Sequence, residues 1–186
     1  MTLGHYSPIL LSLESSEGQK LELYLQDKTL AMRISYPDAT FASTFGTYCV
    51  PEQEWVCVGV TMSFATLIGV RAVLYIDGVL MDKITARYQR FGELTRNMLG
   101  GSYAEPRQTF FGQIGCFNMF SSTLTQGQMK AIYEVGPSYI GTFRDSDVKV
   151  PISSGGSFEG DLVLSYNARA QKGKFIVNSS AACADA

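Results

Sequence analysis

Histidine is nearly absent from this sequence: His5 is the only one among 186 residues, and it stands close to the first. A Ser/His/Asp or Cys/His nucleophile needs an imidazole within hydrogen-bond reach to take its proton, so that chemistry lacks its base. Closely spaced acid pairs on strands are missing too. Sandwich glycosidases set two carboxylates across a cleft, commonly at alternate positions of one strand, and no E-x-D-x-E run occurs here. Glu159 and Asp161, like Asp145 and Asp147, are two apart but flank Gly or Ser, which reads as solvated turns. No enzyme activity is expected.

Clustered charge of one sign is also lacking. Fifteen basic residues oppose 17 acidic ones, a net charge of −2, and no run is long enough to make a basic face. Nucleic acid and anionic membrane are therefore poor partners, since both need clustered cations. Four cysteines, Cys49, Cys57, Cys116 and Cys183, show no C-x-x-C pair. They read as free thiols, three in strands and one in a tail, with a Cys49 to Cys57 bridge as the open alternative. Free thiols fit a reducing compartment better than secretion, and the glycosylation tripeptide Asn178-Ser179-Ser180 is too short a pattern to outweigh that. Asp77, Asp82, Asp145 and Asp147 are too scattered for a calcium site, so no cofactor or metal is expected. Residues 1–12 lack the basic start of a signal peptide. The apolar stretch from Val56 to Ile76 contains Arg71, Thr61, Ser63, Thr66 and two glycines, which suits a strand, loop and strand rather than a membrane span.

What is present is alternation. Hydrophobic residues make up 46% and charged ones 17%, enough to bury a core in a chain of this length. Leu21, Leu23 and Leu25 alternate with Glu22 and Tyr24, and Leu30, Met32 and Ile34 repeat the pattern across the polar turn Gln26-Asp27-Lys28. This predicts a hairpin with the leucine face buried. Ile9 to Leu13 supplies an earlier strand, and Trp55 to Met62, apolar on both faces, a central one. Ala72 to Ile76 and Val79 to Ile84 flank the turn Asp77-Gly78. Phe110 to Phe120, Leu162 to Tyr166 and Lys174 to Val177 complete the set. Thr125 and Gln128 have the spacing of a capping box, so one helix runs from there to Val135 and is ended by Gly136-Pro137. The sum is an all-β, two-sheet antiparallel sandwich with one short helix, a single domain over residues 1–178 and a flexible tail over 179–186.

Trp55-Val56-Cys57-Val58-Gly59-Val60-Thr61 followed by Leu74-Tyr75-Ile76-Asp77-Gly78 resembles the paired strands of concanavalin A-like and laminin-G-like sandwiches. Three further runs are similar to the concanavalin A-like jelly roll of BEACH-family proteins, the neurobeachin and beige type. They are Phe111-Gly112-Gln113-Ile114-Gly115, Phe120 to Thr125, and Ile132-Tyr133-Glu134-Val135-Gly136-Pro137-Ser138-Tyr139, with Ser165-Tyr166-Asn167-Ala168-Arg169-Ala170 after them. One departure is at the front, where family members carry an aromatic strand ending in tryptophan; the expectation is that this chain starts one strand late. The resemblance implies a non-catalytic interaction or scaffolding module of a large vesicle-trafficking or autophagy-related protein. That module is cytoplasmic and peripheral to membranes through the full-length protein. Its expected partners are neighbouring domains of the parent chain or other proteins. A carbohydrate-binding, lectin-like role is the alternative, and Tyr24, Tyr36, Tyr48 and Tyr103 are candidates for its aromatic platform.

Two places stand out as partner-binding candidates. Phe64-Ala65-Thr66-Leu67-Ile68-Gly69-Val70 is an apolar connection where polar residues are the norm. Either it is buried or extends its strands, or Phe64, Leu67, Ile68 and Val70 meet a partner. Tyr103 lies in the Gly/Tyr/Pro-rich stretch Leu99 to Pro106, around which Arg87, Arg90, Arg96 and Arg107 are distributed. That stretch reads as a surface connection, with an anion or protein contact as the sharper alternative.

Overall fold

A computed structural model describes residues 6–65, 69–86, 92–139, 143 and 162–167. Along the chain, the described residues form strands β1 (Ile9–Ser15), β2 (Lys20–Gln26), β3 (Thr29–Ser35), β4 (Thr40–Cys49) and β5 (Val58–Ala65). After them come β6 (Gly69–Ile76), β7 (Val79–Ala86), β8 (Leu94–Leu99), β9 (Cys116–Phe120), helix α1 (Gln126–Val135) and β10 (Leu162–Asn167). The chain divides into two compact units, one made of Met1–Val56, Met62–Leu74 and Met81–Gly112, the other of Cys57–Thr61, Tyr75–Leu80 and Gln113–Ala186. No described helix is long and apolar enough to cross a membrane. Lys174 to Val177, the tail 179–186, His5, Cys183 and the pairs Asp145/Asp147 and Glu159/Asp161 lie outside the described residues.

The first unit contains a five-stranded sheet in the order β4-β3-β2-β1-β8. The predicted hairpin is its centre. Asp27 (φ 49°) and Lys28 (φ 67°) both adopt the left-handed conformation, as a two-residue type I′ turn requires. That turn sets the register, pairing Leu21 with Ile34, Glu22 with Arg33, Leu23 with Met32 and Tyr24 with Ala31. Because side chains alternate, Glu22, Tyr24, Ala31 and Arg33 share one face and the leucines, Met32 and Ile34 the other. On β3 the expected face is buried, with Leu30 at 0% and Met32 and Ile34 at 1% exposed; on β2 the sidedness needs correcting. Glu22 and Tyr24 are 1% and 8% exposed, while Leu21, Leu23 and Leu25 are only half-buried. A later stretch of chain covers the polar face, and Arg33 neutralises the acid on it.

In the second unit the turn at Asp77 (φ 51°) and Gly78 (φ 76°) is again left-handed at both positions. The Asp77 N–H donates to the Cys57 carbonyl, and the Cys57 N–H donates to Asp77 Oδ1, each at 2.9 Å. This closure precedes β5, so Trp55 and Cys57, expected within the strand, lie ahead of it, and Trp55 is exposed. Thr125 caps α1 through the predicted box: its hydroxyl accepts from the Gln128 N–H, and Gln128 Oε1 accepts from the Thr125 N–H. Gly136 (φ 80°) ends the helix in a conformation that costs other residues energy. The helix rests on glycines. A Cβ at Gly59 would lie 1.8 Å from Met129 Cε, and one at Gly78 2.8 Å from Lys130 Cα. The long strand predicted over Phe110 to Phe120 is shortened to Cys116–Phe120, which pairs antiparallel with β10.

Candidate functional site

The best-defined polar constellation lies in the first unit, on the covered face of the five-stranded sheet. Cross-strand pairing brings Ser12 of β1 opposite Glu22 of β2 and Glu22 opposite Arg33 of β3, a polar lane across three strands. Arg33 Nε donates to Glu22 Oε2 at 2.7 Å and Arg33 Nη2 lies 2.6 Å from the same oxygen. The Arg33 guanidinium also sits over the Tyr24 ring, 5.4 Å from its centre.

The cover is the segment between Gly100 and Phe110. Its neck is closed by backbone bonds from the Gly100 N–H to the Leu10 carbonyl (2.8 Å) and from the Phe110 N–H to the Gly100 carbonyl (2.9 Å). A 3₁₀ turn at Pro106–Gln108 shapes its crest. From this segment Glu105 Oε1 accepts from Arg33 Nη2 at 3.0 Å, and Ser102 meets Ser12 hydroxyl to hydroxyl at 3.4 Å. Arg33 therefore bridges two carboxylates, one buried and one on the covering segment. Burial pulls the Arg33 guanidinium toward a lower pKa, but Glu22 and Glu105 together outweigh it and hold the group above its ordinary range. Glu22 Oε1 is buried and receives no hydrogen bond from any described residue. An open hollow of about 360 Å³ lies alongside, lined by Ala104, Glu105, Pro106, Arg107 and Gln108.

Chemically, this arrangement fixes an anion-binding group; it does not set an acid and a base facing each other. Sequence reasoning missed it, although one signal was available: Glu22 and Arg33 are each five residues from the Asp27-Lys28 turn, so a type I′ hairpin pairs them. Glu105, on an irregular segment, gave none.

The candidates read from the sequence fare differently. Tyr103 is exposed on the covering segment. Val70, in β6, is 1% exposed and so offers no surface to a partner; it is a core side chain, which corrects its place among the contact residues. β5 reaches Ala65 and β6 begins at Gly69, so most of the apolar connection extends the two strands. Leu67, Ile68 and the side chain of Phe64 lie outside the described residues, as do Arg87 and Arg90. The proposed tyrosine platform does not assemble, because Tyr24 and Tyr36 are buried. Cys49, Cys57 and Cys116 are free thiols, so the alternative bridge is not formed. In the second unit, burial first, then the neighbouring Cys116 and Asp77, push the Cys57 thiol up to about 11. Burial raises Cys116 as well.

Comparison with known proteins adds the following. A family model described as the concanavalin A-like lectin/glucanases superfamily matches residues 2–130. Among curated proteins, BEACH domain-containing protein B of Arabidopsis thaliana is 26% identical over 144 residues, covering 70% of this chain. The chain spans only 6% of that protein's length. No solved structure matches significantly. The all-β, antiparallel, two-sheet concanavalin A-like class with one helix stands with this match, as does the resemblance to a BEACH-associated domain.

Proposed function

Because this chain belongs to the concanavalin A-like lectin/glucanases superfamily, we propose that it is a non-catalytic interaction and scaffolding module of a large BEACH-type protein, working in vesicle traffic or autophagy. The observation that carries this reading is the similarity to a BEACH-named protein some 6% of whose length the chain spans. A chain that matches so small a share of a relative is suited to act as one module among many. The charge arrangement supports the non-catalytic part. A retaining or inverting glycosidase needs one carboxyl to keep a proton and another to lose it beside an open trench. Glu22 and Glu105 instead both bind the single guanidinium of Arg33, which is not that arrangement. Free thiols at Cys49, Cys57 and Cys116 accord with a cytoplasmic setting, peripheral to membranes through the parent protein.

Two measurements test this. An immunoblot of the native polypeptide should give a species many times heavier than 20.4 kDa, and a band at that mass would sink the module reading. A glycan array read with and without calcium, together with a reducing-sugar assay on β-glucans, should be blank. Saturable sugar binding would favour the lectin alternative, and turnover would overturn the non-catalytic assignment.

A further inference from the structure

We infer that the outer edge of β4, from Thr40 to Thr44, pairs antiparallel with the same edge of a second copy of this chain. The inference rests on the interaction-module reading and names one partner of that module.

β4 ends the five-stranded sheet, and no described strand pairs with its outer side. Two turns fix which of its backbone groups point outward. The Tyr36 N–H donates to the Ala39 carbonyl at 2.7 Å, so Tyr36 and Ala39 form the first hydrogen-bonded pair of the hairpin joining β3 to β4. Such pairs alternate with pairs whose N–H and C=O groups turn away from each other. Followed through the register, Ile34 with Phe41 and Met32 with Ser43 are bonded pairs, whereas Ser35 with Thr40, Arg33 with Ala42 and Ala31 with Thr44 are not. The type I′ hairpin gives the same phase from the other side. Its closing pair is Gln26 with Thr29, which makes Tyr24 with Ala31 and Glu22 with Arg33 bonded pairs, so Ala31 and Arg33 point their backbone groups at β2. Thr40, Ala42 and Thr44 therefore direct N–H and C=O away from the sheet, and all three are exposed. Their neighbours hold the strand still: Phe45 is 0% exposed, and Phe41 packs edge-on against Tyr36 with ring centres 6.2 Å apart.

Edges of this kind are usually guarded by charge, proline or a bulge. β8, at the opposite end of the sheet, carries Arg96. β4 has no charged residue and no proline between Thr40 and Cys49, and its register shift comes only after Thr44. Beyond that shift the strand is already engaged, where Thr47 donates its N–H to Asp82 Oδ2 (3.4 Å) and its hydroxyl to the Met81 carbonyl (3.1 Å). The occupant of the open part follows from symmetry and charge. A two-fold axis beside Ala42 sets Ala42 against its own copy and Thr40 against Thr44, so the outward groups of one strand meet those of the other in the bonded phase. Threonine opposite threonine is a favourable cross-strand pair. A charged edge resists pairing with itself, because the axis brings like charges together; the neutral β4 meets no such opposition. Asp38 of the copy then falls opposite Gly46, where an added Cβ would meet nothing within 4 Å.

The test is sedimentation velocity of the full chain over the micromolar range. The unaltered chain should shift from 20.4 kDa toward twice that mass as concentration rises. Thr40→Lys combined with Thr44→Lys puts like charges into both Thr40 to Thr44 contacts and should weaken self-association at least about ten-fold. Thr40→Glu combined with Thr44→Glu should do the same. Mixing the two variants should restore a dimer, since each lysine then faces a glutamate, and only folded chains can show that recovery. A monomer at every concentration, a lysine variant that dimerises as well as the unaltered chain, or a mixture that stays monomeric overturns the proposal. Each of these failures would leave the module reading standing if the immunoblot finds a long parent polypeptide; a short one would remove the module reading itself.

Discussion

Two of the ion pairs made by one hairpin are of nearly equal length and opposite surroundings. Arg33 and Glu22 are 2.6 Å apart with side chains 23% and 2% exposed; Lys28 and Glu52 are 2.8 Å apart at 64% and 74%. Distance cannot separate them, so solvent must. In water the attraction is screened and two long side chains lose freedom to stay together, which leaves an exposed pair worth little. Under the 100–110 segment Glu22 is almost fully enclosed, so solvent has little access to it if its partner is lost. The Glu22 carboxylate, already short of one donor, is then left buried without its partner. The buried pair earns its place by making that acid tolerable on a covered sheet face, not by adding net stability.

The sharpest way to break this comparison is Arg33→Gln. Removing one partner of a buried pair costs about 3–5 kcal/mol, and urea denaturation of the variant should show a loss of that order. Glu22→Gln combined with Arg33→Gln should recover most of it, since two amides can bond to each other and neither carries charge. If the single change proves as mild as a substitution at Lys28, burial does not distinguish the two pairs.

Thiols sharpen the same contrast in the other unit. Cys57 has its pKa raised from 9.0 to about 11, first by burial, so its favourable neutral form belongs to the folded state. The sign follows directly. Above pH 9 the unfolded chain gives up this proton more readily than the folded one, so the Cys57 contribution is complete below that pH and is lost as pH rises toward 11. Stability measured across this range should decline, and the decline should be smaller in Cys57→Ala. At pH 8, iodoacetamide followed by peptide mapping should label the exposed Cys49 well before Cys57 or Cys116.

How much of this could be read in advance depended on the separation of the partners. The hairpin and its turn, the capping box at Thr125 and Gln128, and the stop at Gly136 are local patterns, and all were legible. Which face of β2 lies deeper was not, because the cover that hides Glu22 comes from Glu105, 72 residues after Arg33. A period of two identifies two faces; it does not say which is better covered when both are. β5 falls short of Trp55 because Asp77 takes the Cys57 N–H, an interaction between side chain and backbone that strand propensity does not register. β9 falls short of Phe110 for a related reason: Gly112 lets the Phe110 ring occupy the space of a side chain, and a Cβ there would be 2.3 Å from that ring.

The smallest expected effect is at the hairpin tip. The Lys28 ammonium is held above its ordinary value of 10.5 and the Glu52 carboxyl below 4.5, each chiefly by the hydrogen bond they share. The carboxyl side of this coupling is present above pH 4.5 and lost as pH falls; the ammonium side is present below pH 10.5 and lost as pH rises. Any contribution is therefore confined between those limits, and both groups stand in full solvent. A double-mutant cycle with Lys28→Gln and Glu52→Gln should show no coupling beyond experimental error at 0.15 M salt and only a slight one at low salt. Coupling as strong as that between Arg33 and Glu22 would mean that geometry, not enclosure, sets the worth of these pairs. It would also show that Lys28 is never free in the native chain, so Glu52→Gln releases a cation as firmly held as Arg33.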